Sequence, residues 1–434
     1  MHDLVKVAVA QARDALAAPL RPSGRRERLA ALGSVEEVRQ AARRALPRVI
    51  FDFVDGGACD EVTLARNVRA FDELSLVPRF LVDVSRVDTS TTVLGRPVDV
   101  PVLGAPTGLC GLVHPDAEEG LAAALASHGS VYVLAAMSSS TIEEVRAAAP
   151  TARLWFQTYL WRDRGVVDGL LERAAASGYE ALVVTVDVPR SSDRRRDRKH
   201  RFTVPPRLTP RSVVDGLTHP RWTAGLLGGA RVVGGNVADH GGDAVSVASY
   251  VDAQFDASAS WEDLQDLRAR WDGPLVVKGL LHAEDARRAV ALGADAVVVS
   301  NHGGRQLDQA PASLSALPAV VEAVGGRAEV YLDGGVRRGS DLLKARALGA
   351  RACLVGRPIV FGLGAGGRAG ADRAVQVLAQ ELEAAMVLAG VRSFDGVGRD
   401  LLGTFPPVVG QDVSEVAAAR ADGRRVLEST HNER

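Results

Sequence analysis

From residue 101 onward, apolar runs of strand length recur at Pro101–Ala105, Val131–Ala135, Leu154–Tyr159, Ala181–Val186, Leu275–Val277, Ala296–Val299, Val330–Leu332 and Ala352–Val355. Between most of them apolar positions return at helical spacing, as in Ala283–Leu292, Leu314–Val324 and Arg338–Leu348. Strands that are apolar throughout are buried on both faces, and their alternation with helices makes them parallel. Eight such units predict an α/β fold, a (β/α)8 TIM barrel. The rhythm breaks once. Roughly 85 residues separate the fourth run from the fifth, so residues about 191–262 form an insertion that ends in a helix after Trp261.

Ahead of the barrel, residues 3–18 have the pattern of one helix, followed by the Pro- and Arg-rich linker Pro19–Arg26. Residues 1–33 therefore form an N-terminal appendage, 34–410 the barrel domain and 411–434 a C-terminal tail. Ser34 caps a helix that starts at Val35 and runs towards Pro47. Arg48 to Phe53 leads into a turn at Asp55-Gly56-Gly57. Gly120 to Ile142 holds no Asp, Glu, Lys or Arg, but its serines and Gly129 make it a helix end, a turn and a buried strand rather than a membrane span.

The 434 residues are 47% hydrophobic and 24% charged, which suits a globular chain with a large core. A net charge of −1 gives no basic face for nucleic acid. Cys59, Cys110 and Cys353 lie far apart and lack zinc-site spacing, so no metal is expected and a reducing compartment fits. The first residues lack the apolar core of a signal peptide.

Barrels place their chemistry at the C-terminal ends of the strands. Those ends carry Pro106-Thr107-Gly108, Gln157-Thr158-Tyr159, Thr185 with Asp187, Lys278, Ser300 to Arg305, Asp333-Gly334-Gly335-Val336-Arg337 and Gly356-Arg357. Nearly all are polar, charged or glycine directly after an apolar run. His302 has the chemistry of a base near neutral pH, with Asp187 able to orient it. Arg305 can bind a carboxylate bidentately, and Arg194 can supply a second guanidinium. The rest of the basic run Arg194–Lys199 reads as a solvated face. Lys278 is one of only four lysines and closes an apolar strand, where it needs a negative partner. It suits a Schiff base, a cation facing a cofactor, or a structural ion pair. The glycines and arginines after the seventh and eighth strands suit a phosphate, which points to FMN or pyridoxal phosphate. Gly362–Gly367 matches G-x-G-x-x-G, but it follows the last strand and reads as a glycine-rich loop.

The stretch Ser300-Asn301-His302-Gly303-Gly304-Arg305-Gln306-Leu307-Asp308 resembles the active-site signature of the FMN-dependent L-2-hydroxy acid oxidising family, and the similarity runs from about residue 35 to about 400. The resemblance implies that His302 is the base, that Asp187 supports it, and that Arg194, Arg305 and Tyr159 hold the substrate. Lys278 would stabilise negative charge on the flavin. FMN would lie against Pro106, Thr107, Gly108, Gln157, Tyr159, Thr185, Ser300, Asp333 to Arg337 (Gly334, Gly335 and Val336 included), Gly356 and Arg357.

Some residues depart from the family pattern. Phe53 stands where a tyrosine is usual, a change some hydroxymandelate oxidases share, and Ala135 stands where a serine is common. Met137 replaces a bulky tryptophan, which leaves room for a larger substrate side chain such as that of mandelate, with lactate the next choice. Gly108 resembles the dehydrogenases, which implies a quinone or another carrier rather than oxygen as electron acceptor. Leu217–Trp222 is similar to a segment through which mandelate and lactate dehydrogenases touch membranes. The implied protein is a cytoplasmic homo-oligomer, a tetramer, in peripheral contact with the inner face of the membrane. Phe53 and the insertion also suit a tailoring enzyme acting on a peptide- or carrier-bound hydroxy or amino acid. A flavin-binding protein without catalysis is the reading outside enzymes.

Overall fold

A computed structural model describes residues 24–200, 210–228, 234–237, 250 and 252–403. The helix expected at 3–18, most of its linker, the tail from 411 and much of the insertion lie outside these residues. Eight parallel strands close into a barrel in sequence order: β1 (Val102–Gly104), β2 (Val131–Ala135), β3 (Arg153–Tyr159), β4 (Ala181–Thr185), β5 (Leu275–Leu280), β6 (Ala296–Val299), β7 (Glu329–Asp333) and β8 (Ala352–Val355). β8 returns to β1 with Cys353, Leu354 and Val355 opposite Val102, Leu103 and Gly104.

The apolar runs follow from the two packing layers. Alternate side chains point to opposite faces of a strand. Leu103, Val133, Trp155, Val183, Val276, Val298, Tyr331 and Leu354 fill the barrel interior. Their neighbours Val102, Tyr132, Leu134, Phe156, Leu182, Val277 and Val297 pack outward against the helices. Both faces are dry, so both sets are apolar.

The chain ahead of the barrel forms one of its walls. Helix Val35–Ala45 begins at Ser34, whose hydroxyl accepts the Glu37 N–H at 3.2 Å. Arg48–Asp55 is a full helix, because Ile50, Phe51 and Val54 fall on one face and are buried. Residues 25–30, read from the sequence as part of an appendage, form a helix whose Leu29 is buried against Gly366. Gly362 to Gly366 is helical rather than a loop, since helix Arg357–Gly366 runs through it, and Gly367 is the turn that ends the helix. A Cβ at Gly362 would meet the Gly370 carbonyl oxygen at 2.3 Å, so the glycine lets this helix approach helix Arg368–Ala389 closely. Gly120 to Ile142 is shared between helix Ala117–Ala126, a turn and β2, as expected.

Candidate active site

The sequence-predicted residues converge on the C-terminal mouth of the barrel. At the end of β6 the chain turns sharply, and His302 takes a left-handed backbone with φ +58°. That conformation is uncommon for a residue with a side chain and marks a site that the surroundings hold in place. Its Nδ1 lies 2.9 Å from Asp187 Oδ1, just past β4. Asp187 therefore fixes the ring with Nδ1–H donating, which leaves Nε2 as the acceptor. Burial works against ionising Asp187, yet His302 and Lys278 hold its carboxyl below the ordinary value.

Lys278 ends the apolar part of β5 and is buried, pairing with Asp333 Oδ2 at 2.8 Å and donating to Ser300 Oγ at 3.0 Å. Ser300 Oγ also accepts the His302 N–H at 3.0 Å, so one hydroxyl ties the lysine to the histidine turn. The strand bulges at the next residue, Gly279, where φ is +111° and a Cβ would meet Asp187 Cβ at 2.8 Å. Glycine at this point lets Asp187 and Lys278 lie side by side.

Arg305 Nη1 donates to the carbonyls of Phe53 and Gly56, both at 2.9 Å. Arg357 donates to the carbonyls of Val54, Gly303 and Gly56. Burial, then the like charges of Arg194 and Arg357, push the Arg305 guanidinium well down from its ordinary value. Burial, with Arg337 nearby, pushes Arg357 down to about 9. Guanidiniums keep their proton in proteins, so cations desolvated in this way call for anions. The Phe53 ring contacts the guanidiniums of Arg194 and Arg305, its centroid 5.7 Å from Arg194 Cζ and 5.5 Å from Arg305 Cζ. Tyr159, at the end of β3, stacks on Trp161, and burial, with Asp187 beside it, raises its phenol.

Residues 42–404 match the family of FMN-dependent dehydrogenases. The chain belongs to that family. It is 43% identical to an L-lactate dehydrogenase of Caulobacter vibrioides over 384 residues, 87% of this chain and all of that one. It is 42% identical to an L-lactate oxidase of Nostoc sp. over 372 residues, 84% of this chain and 96% of the other. Among solved structures, a monotopic membrane protein, (S)-mandelate dehydrogenase, superposes with a TM-score of 0.84 at 37% identity, covering 86% of this chain and 100% of that one.

The mouth fits FMN on its own terms. Gln157 Oε1 and Thr185 Oγ1, on the adjacent strands β3 and β4, and Asp333 Oδ1, across the mouth on β7, are buried without a hydrogen-bond partner among the described residues, which suits a ligand with many ring donors and acceptors. Arg337 and Arg357 suit its phosphate. Val336 is buried in the outer core, so only its backbone can face a ligand. The N–H groups of Arg337 and Arg338 donate to Asp341 Oδ2 at 2.8 and 2.9 Å. The Arg337 N–H, one of the backbone donors expected after β7, is thus already used, so a phosphate here would rest on the arginine side chains and the Gly356 turn. Gly108, in the loop after β1, faces Met137 after β2: a Cβ there would meet the Met137 carbonyl oxygen at 2.7 Å.

Four supporting residues escaped the sequence reading. Asn67 and Asn301 exchange amide hydrogen bonds of 2.8 and 2.7 Å in the core, and Asn301 Oδ1 also accepts the Gly304 N–H. Asp308 accepts the N–H groups of Asp60 and Thr63 at 3.0 and 2.8 Å. Glu118 is fully buried and accepts the N–H groups of Cys110 and Ser139 at 3.0 and 2.9 Å, joining the Gly108 loop to the Met137 loop. Asn301 and Asp308 stood inside the signature and could have been suspected. Asn67 and Glu118 carry no signal in the sequence.

Proposed function

We propose that this protein oxidises an L-2-hydroxy acid to the corresponding 2-oxo acid. The observation that carries the reading is the His302–Asp187 pair at 2.9 Å, opening onto the same barrel mouth as the buried Arg305. Arg305 and Arg194 bind the substrate carboxylate, and Tyr159 bounds the pocket. His302 Nε2 takes the substrate's proton, and Asp187 stabilises the imidazolium that results. FMN, when bound, supplies the acceptor for the two electrons. Pro106 to Gly108, Gln157, Thr185, Ser300, Asp333 to Arg337, Gly356 and Arg357 hold it, with Lys278 placed to balance negative charge.

Met137 and Phe53 favour an aromatic or branched acid such as mandelate, with lactate next. Gly108 favours a quinone or another carrier over oxygen. Among the described residues no helix is long and apolar enough to cross a membrane. Exposed Val214, Leu217 and Leu227 on the insertion helices Pro210–Leu217 and Pro220–Leu227 support peripheral membrane contact from the cytoplasmic side. Exposed Phe80, Leu81 and Leu388, beside the Arg79–Ala389 backbone hydrogen bond, support a homo-oligomer. The C-terminal limit at 410, with 411–434 as a tail, belongs to the same reading, while the helix at 25–30 joins the barrel domain.

Anaerobic flavin reduction across a panel of L-2-hydroxy acids tests it, followed by reoxidation with oxygen or a quinone. Rapid bleaching by mandelate and fast reoxidation by quinone are expected. A flavin that stays oxidised with every acid would overturn the reading.

A further inference from the structure

Asp197 lies one helical turn beyond Arg194, on the short helix Arg195–Lys199. Its carboxylate is 3.5 Å from Arg194 Nη1, and its side chain is only 17% exposed. Every other arginine of this basic run has a different acid: Arg195 pairs with Asp60, Arg196 with Asp55 at 2.9 Å, and Arg198 with Asp193 at 3.1 Å. The run is therefore not a free solvated face, and Asp197 is left to the substrate arginines. Arg194 and Arg305 draw on its charge, His200 weakly so, and Asp52 opposes it. Burial dominates, so this carboxyl sits above its ordinary value despite the two guanidiniums.

The charge count at the clamp is then simple. Arg194 and Arg305 bring two positive charges to Phe53, and Asp197 brings one negative charge. One positive charge remains, enough for a single carboxylate. At 3.5 Å from Arg194 Nη1, Asp197 is in ion-pair range but beyond an ordinary charged hydrogen bond, so it offsets the charge of Arg194 without a tight bidentate contact. We propose that Asp197 is a specificity-determining residue, the resident counter-ion of the Arg194–Arg305 pair, which sets the site to admit monocarboxylates and resist dicarboxylates. The inference rests on the proposed reading of that pair as the substrate carboxylate clamp.

Coulomb energy scales with ligand charge. Removing one negative charge should favour a dianion about twice as strongly, in free energy, as a monoanion. The test uses the flavin-loaded protein and its Asp197→Asn and Asp197→Ser variants, the second in case the first folds poorly. Benzoate and oxalate, neither of them oxidisable here, are titrated by the change in flavin absorbance. Both variants should bind benzoate about threefold and oxalate about tenfold more tightly than the parent. The reduction rate at saturating mandelate should stay within about twofold, so the change falls on KM and not on kcat. Asp197→Glu should keep the parent's oxalate-to-benzoate ratio. A residue that merely caps its helix would lower stability and leave the ratio unchanged. An unchanged ratio in both neutral variants, or equal weakening of both ligands, would overturn the proposal. If no hydroxy acid reduces the parent's flavin, the functional reading falls, yet the benzoate–oxalate comparison still decides the role of Asp197.

Discussion

Phe53 shows how much one missing oxygen can matter. Its ring touches both clamp guanidiniums and can hold them by cation–π attraction, but it offers no hydroxyl to a carboxylate. A hydrogen bond to a charged group contributes about 1.5–3 kcal/mol. Phe53→Tyr should therefore lower the substrate dissociation constant by roughly tenfold or more. Saturating reduction rates should barely change, because the hydroxyl would touch the carboxylate and not the reacting carbon. Stopped-flow titration without oxygen separates the two, and a fall in rate at unchanged affinity would refute this account. Asp187 acts on the opposite term. Asp187→Asn leaves the His302 turn in place but removes the charge that fixes its tautomer, so flavin reduction should fall about 10²–10⁴-fold with substrate affinity nearly intact. His302, Asp187 and Arg305 were legible as candidates because charged residues directly after apolar strands stand out in sequence, whereas the left-handed φ at His302 was not, since the turn around it sets that conformation.

Elements were legible in proportion to how local their causes are. The eight strands announce themselves because both faces must be apolar, and Ser34 announces its helix because a cap acts over three residues. Helix Val62–Asp72 is different. Its first turn is satisfied by Asp308, which accepts the Thr63 N–H across 245 residues of sequence. The Asn67–Asn301 pair spans 234 residues in the same way. No window of sequence contains such partners. Glu61, the residue before this helix, has φ +62°, so the turn needs an outside anchor. Burial opposes the Asp308 charge, but the backbone N–H groups of Thr63, Gln309, Asp60 and Val62 hold its carboxyl below the ordinary value. Asp308→Ala should cost about 0.5–2 kcal/mol at neutral pH. A carboxyl lowered on folding stabilises the fold above its unfolded value, near ~3.9, and that contribution is lost as pH falls through the lower folded value. The difference in denaturation midpoint between parent and variant should thus be full at pH 7 and shrink below about pH 4. A difference that stays constant with pH would mean the side chain acts through packing.

At the scale of the molecule, a barrel with its chemistry on one face leaves the insertion free to decide where the enzyme works. Two helices of that insertion are tied down beside the mouth. Trp222 Nε1 donates to the Leu112 carbonyl at 2.8 Å, and Asp215 accepts the Arg48 N–H at 2.8 Å. A Cβ at Gly225 would press on Pro115, so helix Pro220–Leu227 lies close on the loop after β1. With these anchors made inward, Val214, Leu217 and Leu227 still stand 62%, 71% and 82% exposed. Burying a large aliphatic side chain contributes about 1.5–3 kcal/mol, so the proposed membrane contact through these three would be reversible and not permanent. The protein should co-sediment in part with vesicles of anionic phospholipid and be released by replacing Leu217 and Leu227 with Asp. Both residues are on the solvent side of anchored helices, so the double variant should keep the parent's rate of flavin reduction by soluble substrate. Only transfer from the reduced flavin to a membrane-dissolved quinone should slow. Equal sedimentation of parent and variant would mean that these helices carry no membrane contact and leave them as a cover for the mouth.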